Sequence, residues 1–424
     1  MSAPHGTRHP EAHQVDLSIR AERPAHRDGN VLRWLGAYAA SAIGDNVYFL
    51  ALAWAAARSG SPAQAGFVLA AGSVPRAVLM LGGGVLADRF GPRRVVIGSD
   101  AVRCAVVLGT AAALLFTAPA LWLLVTVALV FGAVDALFLP AVGALPPRIT
   151  APGQLARVQG LRGLAARAAN VVGAPLGGLA VAVGGSASAF LAAGALFALS
   201  LGLLCAVRIG PLSADEARRP AASARAQLAD GLRHIARHRV LAPLVAVIAV
   251  SELGFVGPLN IGLTLLADER DWGASGMGWI VAAFGTGAAA ASLLLAVRGR
   301  IGRAGLVLCA GLALGAPAVA ALAFVPSVAA AAACAVLFGM LAGVSGALCG
   351  ALVQTHADPA YLGRVTSVTT LFTLGIAPLS YPVTGAAIGA WGTGPVFAVS
   401  AAVCGAGAVI GLASRGVRTA ELPR

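Results

Sequence analysis

Polar positions in this chain come in clusters, and the stretches between them are almost continuously apolar. A helix that crosses a bilayer needs about 20 mainly apolar residues. Runs of that kind, bounded by arginine clusters or short Gly/Pro/Ser breaks, predict twelve spans: 33–57, 64–86, 95–117, 120–143, 159–182, 186–207, 240–266, 273–297, 304–324, 327–352, 363–389 and 394–415. Hydrocarbon cannot satisfy free backbone N–H and C=O groups, and the runs are too long for barrel strands. The pattern therefore predicts an all-α integral membrane protein of twelve transmembrane helices. Residues 208–239 form the longest internal polar segment, and its second part, ARAQLADGLRHIARHRV, reads as an arginine-rich amphipathic helix lying along a membrane face. The expected organisation is a disordered tail at 1–31, a six-helix bundle at 32–208, a linker with that helix at 209–239, a second six-helix bundle at 240–416 and a tail at 417–424.

The two bundles repeat in sequence. At an offset of 207 residues, Asp45 meets Glu252, Phe131-Gly132 meets Phe338-Gly339, Leu155 and Arg157 meet Leu362 and Arg364, and Pro175 and Gly178 meet Pro382 and Gly385. Near the loops the register slips, so that Arg89-Phe90-Gly91 meets Arg300-Ile301-Gly302. A unit of six spans brings the chain back to the side on which it began. The copies are thus two parallel six-helix repeats about an axis normal to the membrane, a layout that puts a cavity between bundles and allows alternating access by rocking.

Composition agrees with this picture and narrows it. The chain is 58% hydrophobic and 11% charged, with a mean hydropathy of +0.84. A soluble domain carries about 25% charged residues, so a soluble enzyme is excluded, and disorder is excluded by the hydrophobicity. The net charge of +13 comes from thirty basic residues, every one an arginine. Twenty-four lie in the terminal segments and alternate loops of one side, two (Arg58 and Arg270) on the other, and four (Arg76, Arg103, Arg162 and Arg167) inside spans. Cytoplasmic loops are enriched in Arg and Lys, so both termini are expected in the cytoplasm and the protein in a bacterial inner or plasma membrane. The charge then marks topology, and no nucleic acid partner is expected. Trp54, Trp122, Trp272 and Trp391 fall at the outer span ends, where indole prefers the headgroup layer. Residues 1–31 lack the apolar core of a signal peptide.

No cofactor is expected. The six cysteines lie in apolar spans without a Cys-x-x-Cys pair, His234 and His238 lack a third ligand nearby, and a chain without lysine has no phosphate-binding Gly-Lys-Ser/Thr loop. The informative chemistry is ionisable groups within hydrocarbon, which face a cavity or a partner. Asp45 lies about twelve residues, roughly 18 Å, into its span, and Glu252 equally deep in the repeat-related span. Asp135 lies about eight residues from the inner face in the fourth span, and Arg76 lies within the second span. Asp45, Glu252, Asp135 and Arg76 are the candidates for binding protons or a charged group of the substrate. The alternative is structural pairing, with Arg76 available to Asp45. Asp100 and Arg103, spaced i,i+3, are expected to pair with each other or with nearby loop arginines. Arg162 and Arg167 either snorkel to headgroups or favour an anionic substrate.

Between the second and third spans stands Gly84-Val85-Leu86-Ala87-Asp88-Arg89-Phe90-Gly91-Pro92-Arg93-Arg94. This resembles the signature loop of the major facilitator superfamily at every specified position, and a degenerate second copy (Arg298 to Arg303) lies between the eighth and ninth spans. The resemblance covers roughly residues 32–416. It implies a conformational latch in which Asp88 caps the start of the eleventh span near Gly363-Arg364, with Gly84, Arg89, Gly91, Arg93, Arg94, Asp100, Arg103 and Arg364 taking part. A loop that only fixes topology is the alternative. Ser41 to Asp45, Val74-Pro75-Arg76 and Gly363-Arg364-Val365 are similar to stretches of the twelve-span drug, macrolide and siderophore exporters. Gly173-Ala174-Pro175-Leu176-Gly177-Gly178 is similar to an element associated with antiporters, with its proline displaced by one; Gly173, Gly177 and Gly178 are expected to pack helices closely. The resemblance implies a secondary transporter, not an enzyme, acting as a monomer in the lipid bilayer: a proton-coupled exporter of small hydrophobic molecules. The alternatives are lysolipid transport, small-anion uptake, and a scaffold or receptor that keeps the fold without transporting.

Overall fold

The computed structural model describes residues 27–150, 154–208, 224–298, 301–358 and 361–422, with the side chains of 80–90, 224–228 and a few single positions outside the described set. The expectations for residues 1–26 of the tail, for the packing of Gly84 and for the side chains of Asp88 and Arg89 lie outside the described residues; Gly29, Asn30 and Val31, expected in the tail, instead open the first helix. Those described form helices and turns, with no strand among them.

The first half contains α1 (Gly29–Ser59), α2 (Pro62–Phe90), α3 (Pro92–Phe116), α4 (Leu121–Gly143), the short α5 (Pro146–Ile149) and α6 (Leu155–Cys205). The local chemistry explains where they start. Asp28 accepts the N–H of Asn30 ahead of α1, and Ser61 and Gln64 form a reciprocal capping box at α2, with Pro62 at the first helical position. Gly91, at φ 81°, ends α2 and turns the chain into α3, a conformation that only glycine adopts without strain. α6 holds two passes. Gly184 and Gly185 leave helical geometry, Gly185 at φ 69°, and break it at the corner expected between 182 and 186.

After α7 (Ala224–Arg237) the second half follows as α8 (Leu241–Gly257), a π-helical turn (Pro258–Gly262), α9 (Leu263–Glu269), α10 (Gly273–Arg298), α11 (Ala304–Leu322), α12 (Val328–His356), α13 (Leu362–Gly375), α14 (Ala377–Trp391), α15 (Thr393–Ala413) and α16 (Arg415–Arg418). Pro258 lacks the N–H that an α-helical ladder needs, so the seventh pass widens to a π turn there. The eleventh pass breaks at Ile376 between Gly375 and Pro378. Among the described residues nine stretches are long and apolar enough to cross a membrane. One of these is the broken α6. Its second pass, together with α1, whose apolar run is interrupted by Gly44-Asp45-Asn46, and α2, accounts for the expected twelve. Trp122 and Trp391 are 71% and 70% exposed at pass ends, positions suited to a headgroup layer.

α1 packs chiefly on α6 and α2 on α4, while α10 packs on α12, α11 on α12 and α15, and α8 on α15. Across the halves, α2 meets α14 and α6 meets α10. Both crossings are made by glycine. A Cβ on Gly66 would stand 2.5 Å from the Tyr381 carbonyl oxygen, and one on Gly178 would stand 2.5 Å from that of Ala274. Gly385 faces Pro62, and a Cβ on Gly278 would stand 2.6 Å from the Ala174 carbonyl oxygen. With Arg58 pairing to Asp268 at 3.1 Å, these contacts close the arginine-poor end. Gly173 and Gly177 instead seat α6 on α1, against Asn46 and Val47.

Candidate transport site

The deepest polar group is Arg103 on α3, wholly buried. Its guanidinium is bonded to Asp135 of α4, lies 3.5 Å from Asp100 one helical turn back, and lies 3.7 Å from Asp45 of α1. Asp135 also forms an ion pair with Arg76 of α2, Nε to Oδ2 at 2.8 Å. Four helices thus converge on one cluster of three carboxylates and two guanidiniums. Phe131 and Phe138 lie under the Arg103 guanidinium at 5.2 and 4.1 Å, and Ser200 of α6 donates to Asp100 at 2.5 Å. Removing such charges from water is costly unless each is compensated, and here the compensation is shared. Asp45 is held most loosely, because its Oδ1 is buried but makes no hydrogen bond.

Several sequence-predicted residues take unexpected partners. Arg76 pairs with Asp135 rather than with Asp45. Asp100 and Arg103 do pair, but inside the first-half core beside Asp45 and Asp135 rather than with loop arginines, since α3 runs far enough before them to carry them inward. Arg93 donates to the Cys205 carbonyl at 3.0 Å, and Arg94 is exposed. Arg167 crosses to Ser292 of α10, while Arg162 lies over the Tyr38 ring at 5.6 Å. Arg364, at the start of α13, bonds to Asp230 of α7 and lies 4.9 Å over Tyr361.

Between the halves lies a cavity of about 270 Å³ whose walls include Tyr48, Arg76, Asp135, Glu252, Asn260 and Tyr381. The first-half cluster therefore opens to this space through its Arg76–Asp135 edge, and Glu252 enters from α8. Asp45 is not in its wall, to which α1 contributes Tyr48, Phe49 and Leu52. Glu252 has no ion pair or hydrogen bond among the described residues, and it also lines a second cavity inside the second half, of about 340 Å³. The π turn of the seventh pass supplies Asn260 to the central wall, and the break in the eleventh brings Thr373, Leu374, Ala377 and Tyr381 there. Tyr48 is stacked on Phe131 at 3.7 Å, and sequence reading missed the hub role of Arg103. An arginine three residues from an aspartate within an apolar run was the available signal.

A bundle of membrane-length helices closed at one end, with a cavity between repeat-related halves that exposes a few charged groups, has the architecture of a membrane transporter. The sequence profile of the Major Facilitator Superfamily matches residues 34–372, and the chain belongs to that family. It is 28% identical over 311 residues to an enterobactin exporter of Shigella boydii, covering 73% of this chain and 70% of that one. It is 27% identical over the same length to the enterobactin exporter of Escherichia coli. Among solved structures, the nucleoside transporter NupG superposes with a TM-score of 0.74 at 13% identity, over 91% of this chain and 99% of that one. A bacterial homologue of the human lysosomal transporter Spinster superposes with a TM-score of 0.70 at 14% identity, over 92% and 95%. These two establish the fold. The protein is thus a multi-pass transporter and not an enzyme.

Proposed function

We propose that this protein is a proton-coupled exporter of small, mainly hydrophobic molecules, working by alternating access in the bacterial inner membrane with both termini cytoplasmic. The observation that carries the proton coupling is the charge count of the buried cluster. Among the described residues, the cations paired with Asp45, Asp100 and Asp135 are Arg76 and Arg103. A low-dielectric core tolerates a compensated set, so the surplus carboxyl holds a proton, and Asp45, with its unbonded oxygen, is the one to release it. The Arg76–Asp135 edge links that site to the central cavity, where a substrate alters the balance. Walls dominated by apolar and aromatic groups favour a hydrophobic cargo, and the likeness to siderophore exporters supports outward movement of a natural product. With the arginine-rich end inward, the glycine-closed end faces outside, and the cavity is in its inward-facing state. Asp88 then acts as the latch of the opposite state by competing with Asp230 for the start of α13.

A substrate screen in a susceptible host tests this reading. Cells expressing the protein should accumulate less of at least one hydrophobic compound, and a protonophore should abolish the difference. Uptake instead of export, or export indifferent to the protonophore, would rule it out.

A further inference from the structure

The 207-residue repeat allows the two half-cores to be compared position by position, and they differ in one respect. The Arg103 cluster fills the first half, whereas the second half is hollow at the corresponding place. Asp45 corresponds to Glu252, Tyr48 to Phe255 and Phe131 to Phe338, all retained as an acid or an aromatic ring. Asp135, however, corresponds to Ala342, Phe138 to Ser345 and Phe197 to Cys404. On the facing helix, α3 places Arg103 over Phe131 and Phe138. α11 presents Gly311 to Ser345 and Gly315 to Phe338, with a Cβ on Gly315 3.4 Å from that ring. Glu252, Phe255, Gly311, Phe338, Ala342, Ser345 and Cys404 all line the 340 Å³ cavity. The void is therefore the space left where an arginine, its aspartate and two phenylalanines would stand.

Within this space the acid remains but its cation does not. Glu252 lacks a partner among the described residues, and the neighbouring Ser251 Oγ is buried without a hydrogen bond. Close packing leaves few voids larger than a water molecule, while ligand pockets begin at about 300 Å³. A carboxylate set at the mouth of an apolar chamber fits an apolar body that brings one positive charge. Glu252 also lines the central cavity, so entry lies through the transport site itself.

We propose that the core of the second half is a binding chamber for the apolar body of a hydrophobic monocation, whose charged centre pairs with Glu252 in the place that Arg103 takes in the first half. The proposal rests on the transport reading for the role of Glu252, and it adds a chamber distinct from the cavity between the halves.

Equilibrium binding to the purified protein in nanodiscs tests it without any gradient, so a failure of export or of proton coupling leaves the result readable. The probes are radiolabelled tetraphenylphosphonium and tetraphenylborate, ions of the same shape and opposite charge, with empty nanodiscs as the baseline. Wild type should bind the cation saturably and the anion at least tenfold more weakly. Glu252→Gln should weaken cation binding at least tenfold. Ala342→Leu and Cys404→Phe, which fill the chamber without touching the central cavity, should also weaken it at least tenfold, and they should melt no lower than wild type without ligand. Equal binding of both ions would overturn the charge assignment, as would a chamber occupied by co-purified lipid that the cation does not displace. Cation binding unaffected by both filling variants, when they remain folded by melting and gel filtration, would place the ligand elsewhere and overturn the chamber.

Discussion

Arg103 holds three carboxylates of three different origins in register: Asp100 on its own helix, Asp45 on α1 and Asp135 on α4. Its loss leaves buried negative charge with a single guanidinium, Arg76, to answer it. Removing one partner of a buried ionic set costs about 3–5 kcal/mol. Arg103→Ala is therefore expected to lower the melting temperature sharply and to reduce the yield of monodisperse protein. Asp45→Asn instead leaves two acids with two arginines, and should cost about 1 kcal/mol or less. Equal melting of the two variants would refute the hub assignment. At this scale the acids were legible in the sequence, because a carboxylate within an apolar run stands out. Their pairings were not, because Arg76–Asp135 and Arg103–Asp45 join helices through tertiary packing that no local spacing reports. Arg103 itself was read as a partner of Asp100 and as part of the latch.

The elements were more legible than their interruptions. Apolar length fixed the passes, and Gly184-Gly185 marked the corner in α6. The π turn at Pro258 and the break at Ile376 lie within runs long enough to cross unbroken, so hydropathy passed over them. Glycine contacts between α6 and α10 and between α2 and α14 supply the closure. Gly178→Val introduces a branched side chain where even one Cβ would stand 2.5 Å from the Ala274 carbonyl. That variant should open the arginine-poor end, so that spin labels on the tips of α1 and α9 report a longer distance than in wild type; an unchanged distribution would count against this role. α7 offers a second test. His238 Nδ1 accepts the N–H groups of Val240 and Leu241, each at 3.2 Å, ahead of α8. Burial, and then the neighbouring His234 and His356, hold its pKa below the ordinary 6.5. A group with a depressed folded-state value contributes fully above the ordinary value, and that contribution fades as pH falls through the lower one. Amide protons at 240–244 should thus exchange faster at about pH 5 than at about pH 7.5, after correction for intrinsic rates. Equal protection at both values would mean that the histidine cap does not hold α8.

Across the whole molecule, arginine marks one end, glycine closes the other, and the two half-cores have diverged from a common repeat. One half became an ionic cluster with a surplus acid, and the other an apolar hollow with a lone acid. The repeat was legible because paired positions keep a constant offset. The divergence became visible only when Gly311 and Gly315 were seen to face Ser345 and Phe338, the counterparts of the two rings that Arg103 lies over. The central claim is that proton release from the first-half cluster drives export through the cavity it borders. Its most direct test is a paired flux measurement. Purified protein in vesicles loaded with a pH-sensitive dye is given an imposed pH gradient and an exported compound, and both fluxes are followed. The account predicts opposed movements of proton and compound that rise and fall together, and the loss of both in Asp45→Asn, which still binds the compound. Movement of the compound without proton flux, or full coupling in Asp45→Asn, would contradict it.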